Sequence, residues 1–526
     1  PAYRIEIGLY HTERNNITDR MAAATELALR LNRDVALFWG LGDHGGGATR
    51  LDLDRIRTYT SSENRVDFVH STTDRFYEAI APMIPTLPAF EGSLQRVFTG
   101  CYTSIARVKR KAVEASAAAL QCEKLADINS NDNAVAAIHE IWQDVLFNDF
   151  HDILPGSCTH SAELDALDLY GRAMENIRRL NMQSITAINH LATRLPAHIP
   201  VTIFNSNHSI STFPVEFECM SDYRPFWEGE YTLKLFDRQG NEIPCQEEQA
   251  EARLPFHRWR RKIAFLAHEM PFGIHHLYLK PEARTQNPSA QTRQNHNLTP
   301  LSFIVLADTA DSWGTHTWSW RKTIGQFETE QEEQVIEHGP IRTIYESTHS
   351  FHHSKIIVQR ICYADWPVTE YILQIHWNEK QARLKAVIPV NPKYQHVFAQ
   401  IPGGYEEFPA DAQEHVHGTW MTLTTQNQPI PDTPNDTASL HIAHNGLHGF
   451  DFDGSEVRLS ILRSAAYCHE QGYPLDNNRS HQFMDLGLHE IKMAIWENNP
   501  QPEAVAEWLN APPLVWPHLP IGYKKN

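Results

Sequence analysis

The stretch RTIYESTHSF, residues 342–351, decides the fold of the larger part of this chain. It is a short run rich in strand-forming residues, and two runs of the same kind follow it, SKIIVQRICY (354–363) and TEYILQIHW (369–377). Runs of this length, separated by Gly, Asn, Asp and Pro, are typical of antiparallel sheets. Because short strand-like runs of this kind continue on both sides, we predict that residues 196–526 form an antiparallel β-sandwich region of two or more subdomains. Within it, the acidic run ETEQEEQ (328–334) is expected to be a solvated loop.

Upstream of this region the spacing of apolar residues becomes helical. Three long segments place their apolar residues on one stripe, at 103–128, 131–150 and 161–192. This pattern predicts a helical bundle over residues 86–195. Thr103 or Ser104 is the expected N-cap of the first long helix.

Residues 1–85 alternate helical segments with two apolar runs, VALFWG (35–40) and RVDFVHS (65–71). Alternation of helix and strand is typical of a parallel sheet covered by helices, so these residues are predicted to be the tail of an α/β domain. The predicted fold class is therefore multidomain: α/β, then α, then antiparallel β.

Composition limits the classes of function. The chain has 526 residues and a formal net charge of −18, and phosphate binding needs a basic face, so a nucleic-acid partner is not expected. The sequence contains no run of 18 apolar residues, so no membrane span is expected. No signal peptide is recognised at its start. Seven cysteines without a CxxC motif predict a reduced compartment. The lack of a signal predicts a cytoplasmic location. Association into a homo-oligomer is left open.

The glycine-rich segment GLGDHGGG (40–47) presents Asp43 after an apolar run. It has no GxxxxGK[ST] motif and no basic residue, so a phosphate-binding loop is disfavoured. A carboxylate at the carboxyl end of a strand is placed where α/β folds have their active sites. The alternative is an Asx-turn before a helix. Trp39 could stack on a sugar ring or close the apolar strand as a core residue.

The segment FNDFHDILPGS (147–157) ends a helical run and sets His151 beside Asp152. Imidazole is a common zinc ligand, and an adjacent carboxylate can bind a substrate hydroxyl or orient the ring. The alternative is a histidine favoured by the helix dipole, with Asp152 capping the next segment. Zinc needs three or four ligands, and His139, His160 and Asp149 do not make a usual spacing with this pair.

Taken together, these motifs resemble glycoside hydrolase family 38, the α-mannosidases, in its bacterial and cytosolic-type branch. The resemblance rests on ordered segments across the chain: FWGLGDHGGGATRLDLDRI (38–56), FTGCYTSIARVKRKAVEASAAALQCEKLA (98–126), LFNDFHDILPGS (146–157), VTIFNSN (201–207), HNGLHGFDFDGSEVRLSILRSAAY (444–467) and DLGLHEIKMAIW (485–496). It implies a barrel-like α/β catalytic domain, a three-helix domain and β-sandwich domains.

The resemblance also implies a retaining α-mannosidase that holds one zinc ion and acts on terminal α-mannosides of oligosaccharides or glycans. His151 matches a zinc ligand, Asp152 a residue that contacts sugar hydroxyls, and Asp43 the general acid/base. His44, beside Asp43, is a further candidate for substrate contact, as is Trp39.

The sequence departs from the family where the first zinc ligands and the nucleophile are expected. There is no H-x-D segment followed by Gly-Trp, and no segment resembling the nucleophile motif, before Asp43. The chain is therefore expected to be a partial enzyme that lacks the N-terminal part of the catalytic domain and is inactive alone. The alternative is a non-catalytic carbohydrate-binding or scaffold protein derived from such an enzyme.

Overall fold

A computed structural model of the chain describes residues 3–13, 15–42, 46–90, 97–129, 134–189, 198–210, 212–220, 231–251, 260–283, 301–425, 438–476 and 478–518. Asp43 and His44 lie outside the described residues. The chain divides into two compact units, residues 1–92 and residues 93–526.

The first unit is helical in its described part. Its elements are α1 (Ile17–Leu31), α2 (Arg50–Ser62), α3 (Thr73–Ile80) and a 3-10 helix (Ala81–Thr86). The helix α2 begins at a capping side chain, because Thr49 Oγ1 accepts a hydrogen bond from the Asp52 backbone N–H at 3.1 Å. A small apolar cluster holds α1 against α2 through Ile17, Met21 and Ile56.

The two strands predicted in this unit are not found as strands. Residues 35–40 and 65–71 carry no strand assignment in the described part of the chain. A strand exists only where a neighbouring strand completes its backbone hydrogen bonds, and an apolar run cannot supply that partner by itself. The barrel-like α/β domain expected for residues 1–85 therefore stays a prediction.

The second unit opens with the helical segment. A short 3-10 helix (Cys101–Thr103) precedes three long helices, α4 (Ala106–Ile128), α5 (Ala134–Phe147) and α6 (His160–Asn189). Each begins within three residues of its predicted start. They share one apolar cluster, in which Val108, Ile141 and Tyr170 represent the three helices.

The N-cap expected for α4 is wrong. The backbone N–H of Ala106 donates to the carboxylate of Asp485 at 2.9 Å, a residue 379 positions away. Ser104 instead directs its hydroxyl to the carbonyls of Gly100 and Ser312, each at 3.0 Å. The β region therefore supplies the cap, which local sequence cannot reveal.

Twenty-three strands and one helix make up the remainder of the described chain. They are β1 (Ile199–Asn205), β2 (Phe213–Met220), β3 (Tyr231–Phe236), β4 (Glu242–Ile243), β5 (Cys245–Glu248), β6 (Arg260–Ala267), β7 (Gly273–Ala283), β8 (Ser302–Ala307), β9 (Thr323–Gln326), β10 (Glu328–His338), β11 (Arg342–Phe351), β12 (Ser354–Tyr363), β13 (Thr369–Trp377), β14 (Ala382–Pro389), β15 (His396–Ile401), β16 (Gly404–Phe408), β17 (His415–Val416), β18 (Trp420–Thr424), β19 (Ser439–His444), β20 (Gly449–Phe452), β21 (Glu456–Arg463), β22 (Gly487–Glu497), α7 (Pro502–Asn510) and β23 (Leu514–Pro517).

These strands form four antiparallel sheets. The largest has nine strands in the order β10-β11-β12-β13-β22-β19-β18-β15-β16, and a six-stranded sheet has the order β17-β20-β21-β14-β8-β9. The nine- and six-stranded sheets share one hydrophobic core, to which Trp377, Leu384 and Phe450 contribute. A five-stranded sheet (β23-β1-β7-β3-β4) and a three-stranded sheet (β2-β6-β5) share a second core with α7. The predicted order, a helical segment followed by antiparallel sheets, is confirmed.

The acidic run ETEQEEQ is not a loop. It lies in β10, which pairs with β11 at the edge of the nine-stranded sheet. Nearly all side chains of β10 are exposed, so the run satisfies its backbone through β11 while its charges stay in water. Among the helices that the structure describes, none is long and apolar enough to cross a membrane.

Candidate functional site

The His151–Asp152 pair lies in a tight turn after α5, which ends at Phe147. Two hydrogen bonds close the turn, from the Gly156 N–H to the Ile153 carbonyl at 3.0 Å and from the Ser157 N–H to the Asp152 carbonyl at 3.0 Å. These bonds fix the backbone of residues 151–157, which we call the His-Asp turn.

The two side chains of the pair are close to each other and accessible. His151 Nε2 lies 3.6 Å from Asp152 Oδ2, and the side chains are 79% and 44% exposed. The Ser157 hydroxyl donates to Asp152 Oδ1 at 2.8 Å. One carboxylate oxygen is therefore oriented by Ser157 and the other lies beside the His151 ring, and the partly exposed carboxylate is accessible to a ligand hydroxyl or a cation.

A complete zinc site is not found among the described residues. No group of three or more His, Cys, Asp or Glu side chains in that part of the chain is placed to hold a metal ion. His151 and Asp152 would supply two donors, and a zinc ion needs three protein ligands or four. The described residues alone therefore do not fit the metal.

The glycine-rich loop of the first unit is closed at its base. The Leu41 N–H donates to the Gly47 carbonyl at 2.9 Å, and the Gly40 N–H donates to Thr12 Oγ1 at 3.0 Å. Asp43 and His44, which follow Gly42 in the sequence, are outside the described residues. Trp39 is half-buried against the apolar cluster of α1 and α2, and its ring centroid lies 5.9 Å from that of His70. Its predicted role in sugar binding stays a prediction.

An open cleft of about 640 Å³ lies in the second unit, formed by the segment between β21 and β22. Its lining combines aromatic faces with charged and hydrogen-bonding groups, among them Tyr467, Tyr473, His469, Glu470 and Arg479. Sugars are bound by such mixtures, because their ring faces stack on aromatics while their hydroxyls need polar partners.

This cleft, which we call the 466–482 cleft, adjoins the His-Asp turn. The thiol of Cys468, a cleft residue, donates to the Ser157 carbonyl at 3.3 Å, and Ser157 in turn orients Asp152. Burial raises the pKa of the Cys468 thiol, and the Asp152 charge raises it further. Asp152 is therefore an electrostatic neighbour of the cleft.

Gly156 lets the His-Asp turn pack on the start of the helical segment. Its φ is +82°, and a Cβ at this position would overlap the Ser104 carbonyl. We expect Gly156→Ala to lower the unfolding free energy by more than about 1–2 kcal/mol, the cost of a left-handed residue with a side chain, because the clash adds to it. Urea denaturation measures the change.

Gly171 is the matched control. It lies in the interior of α6 with nothing within 4 Å of a built Cβ. Gly171→Ala should stabilise the protein by roughly 0.5–1 kcal/mol, because alanine loses less conformational entropy in a helix. Equal effects of the two substitutions would contradict the packing described for Gly156.

Sequence reasoning found the His-Asp turn but missed its surroundings. Ser157, Cys468 and the 466–482 cleft come together only in the folded chain, since 311 positions separate Ser157 from Cys468. The order of the motifs could have indicated the cleft, because LRSAAY (462–467) follows the His-Asp segment in the sequence and continues directly into the cleft residues.

Two known domain families match parts of this chain. The α-mannosidase middle domain matches residues 96–188, which include the His-Asp turn, and the glycosyl hydrolases family 38 C-terminal domain matches residues 284–477. α-Mannosidase 2C1 of Mus musculus is 28% identical over 147 residues, 27% of this chain and 14% of that protein. An α-mannosidase of Saccharomyces cerevisiae is 33% identical over 149 residues, 23% of this chain and 13% of that protein.

Solved structures show the same fold. An α-mannosidase from Enterococcus faecalis V583 superposes with a TM-score of 0.74 over 95% of this chain and 68% of that one, at 13% identity. A family 38 protein from Enterococcus faecalis gives 0.70 at 12% identity. The two matched domains are domains of α-mannosidase-type glycoside hydrolases. The chain belongs to glycoside hydrolase family 38.

Proposed function

We propose that this chain carries part of the site of a retaining, zinc-dependent α-mannosidase that removes terminal α-mannosides from oligosaccharides or glycans. The observation that carries the proposal is the position of the His-Asp turn inside the matched α-mannosidase middle domain, next to the 466–482 cleft.

Asp152 is proposed to bind substrate hydroxyls. An ionised carboxylate accepts hydrogen bonds from hydroxyl groups, and Ser157 fixes its orientation. The aromatic and charged lining of the 466–482 cleft would bind the neighbouring sugar units. His151 is proposed as one zinc ligand, although the described residues supply no full ligand set.

Retaining hydrolysis needs two carboxylates about 5–5.5 Å apart, one as general acid/base and one as nucleophile. Asp43 is the proposed acid/base, and no residue of the chain is proposed as the nucleophile. We therefore propose that the 526-residue chain does not turn over mannosides by itself. A non-catalytic carbohydrate-binding protein is the second candidate, favoured by the accessible cleft and by the lack of a metal cluster among the described residues.

Release of a chromophore from an aryl α-mannoside tests this proposal. The 526-residue chain and the protein that its gene encodes are each assayed with and without added zinc. We expect zinc-dependent release from the gene product only. Release by the 526-residue chain alone would disprove the proposed inactivity, whereas sugar binding without release by either protein would favour the non-catalytic candidate.

In the gene product that releases the chromophore, Asp152→Asn is expected to lower kcat/KM by about a hundredfold or more, because a misplaced or lost substrate contact has that effect. His139→Ala is the matched control for His151→Ala, since His139 is exposed on α5 and bonds only Gln143 in the described chain. If His151→Ala behaves like His139→Ala, then His151 has no role at the site.

The proposed partner is a mannose-containing oligosaccharide. A nucleic acid is not proposed because the net charge is −18, and no membrane partner is proposed. All seven cysteines are free, which supports the proposed cytoplasmic location. The homo-oligomer stays a prediction.

A further inference from the structure

Lys109 is a buried cation in the first turns of α4. Its residue is 3% exposed, and in the described chain its ammonium group bonds two backbone carbonyls, those of Ser104 and of Leu154, the latter at 2.9 Å. No carboxylate of the described residues lies within ion-pair distance of it. Burial lowers the pKa of Lys109 to about 8, so the group is still charged at pH 7.

A buried charge of this kind is costly, and an apolar side chain of similar shape would fill the space with less penalty. Its two acceptors lie on different segments: Ser104 precedes α4, and Leu154 lies within the His-Asp turn. The ammonium group therefore joins the turn to the start of the helical segment, at the contact where Gly156 meets the Ser104 carbonyl.

The Ser104 side of this contact is itself held firmly. Arg463 Nη1 donates to Ser104 Oγ at 2.9 Å, and Arg463 Nε donates to Asp308 Oδ2 at 2.8 Å. All three residues are fully buried. A contiguous series of contacts thus runs from the β region through Ser104 and Lys109 to the turn that carries Asp152.

We propose that Lys109 is a positioning residue: its ammonium group holds the His-Asp turn, and with it the Asp152 carboxylate, in place against Ser104. Its catalytic consequence rests on the proposed function, whereas the positioning itself does not. Charged donors to carbonyls hold a backbone more strongly than neutral ones, and both carbonyls lose their partner when the ammonium is removed.

Hydrogen exchange of the 526-residue chain tests the positioning directly. In Lys109→Met, the Gly156 and Ser157 amides should exchange about ten- to a hundredfold faster, because the hydrogen bonds that fix the turn are weakened. Interior amides of α5 and α6 should be unchanged. Lys111→Met is the surface control, since Lys111 pairs only with Glu114 at 2.6 Å in the described chain.

Lys124→Met is the second control, because Lys124 also bonds a carbonyl, that of Ser206 at 2.9 Å, but far from the turn. If Lys109→Met does not fold, Lys109→Gln keeps a neutral donor and should give a smaller but still local increase in exchange. Unchanged exchange at the turn, or an equal increase across α4, α5 and α6, would overturn the proposal in either variant.

The catalytic consequence has a separate readout. In the gene product that releases the chromophore, Lys109→Met should change kcat and KM in the same proportion as Asp152→Asn does. Lys111→Met should leave both constants unchanged. Absence of turnover in every form would remove the proposed function and leave the exchange result standing. A different division between kcat and KM would overturn the link from Lys109 to Asp152.

Discussion

Replacement of Glu414 by Gln is expected to lower the unfolding free energy by about 3–5 kcal/mol, the usual effect of removing one partner from a buried ion pair. Glu414 is buried between Arg383, whose Nη1 lies 3.0 Å from its carboxylate, and Lys385, which donates to its second oxygen. The amide of Gln keeps the shape of the side chain but leaves two buried cations without that anion.

Arg383 also belongs to a second group of buried charges, which it forms with Arg463 and Asp308. Arg383 and Arg463 lie opposite each other on β14 and β21, where like charges repel. Asp308 bonds both, through Oδ2 at 3.2 Å and 2.8 Å. Burial acts to raise the pKa of Asp308, but the charges of Arg463 and Arg383 outweigh it, so the pKa lies below its usual value.

Urea denaturation at neutral pH measures the effect. Glu330→Gln is the matched control, because Glu330 pairs with Lys355 at 3.0 Å with both side chains about half exposed. An exposed pair contributes about 0–1 kcal/mol. A similar, small change in both variants would show that the buried network does not stabilise the sheets as described.

Acidification is expected to destabilise the protein strongly below about pH 6.5. Burial lowers the pKa of several histidines of the β region, among them His417 to about 3, His441 to about 4 and His489 to about 2, where neighbouring arginines add to the effect. The unfolded chain takes up a proton near pH 6.5 at each, while the folded chain does not. The unfolding free energy therefore falls as the pH drops from about 6.5 toward the folded-state values.

The size of this effect follows from linkage. At pH 5 each of the three histidines lowers the unfolding free energy by about 2 kcal/mol, or about 6 kcal/mol together. Buried carboxyls with a raised pKa act in the opposite sense. Burial raises the pKa of Asp451 and Asp485, so the folded chain takes up those protons first and part of the loss is offset.

Urea midpoints at pH 7.5, 6.5, 5.5 and 5.0 check this expectation. The three histidines lower the unfolding free energy by only about 0.4 kcal/mol between pH 8 and pH 7, and much more steeply below pH 6.5. His441 bonds Thr422 and Ser439 through its two ring nitrogens, at 2.8 and 2.9 Å. His441→Gln should reduce the loss between pH 7 and pH 5 by about 2 kcal/mol. An unchanged loss would mean that His441 does not stay neutral in the folded chain.

Local pattern predicted the elements of the second unit well. The strands β11, β12 and β13 begin and end at the residues where their apolar runs do, because short runs bounded by turn residues contain their own boundaries. The edge strand β10 was mistaken for a loop, since its exposed acidic side chains hide the pairing of its backbone with β11.

The candidate site was only half visible in the sequence. His151 and Asp152 stand out because they are adjacent and follow a helical run. The role of Lys109 is invisible there, because a lysine among charged residues near a helix start is ordinarily exposed. Its burial depends on the turn at Leu154, 45 positions away, folding back over it.

The sequence by itself determined the order of the helical and β-rich parts, the positions of most helices and strands, and the His-Asp pair, because each depends on the periodicity and chemistry of neighbouring residues. Only the tertiary structure decided that Asp485 caps α4, that Cys468 brings the 466–482 cleft to Ser157, and that Asp308 bridges two opposed arginines. These contacts join residues between 75 and 379 positions apart, and side-chain hydrogen bonds over such separations exist only after the sheets and helices have packed.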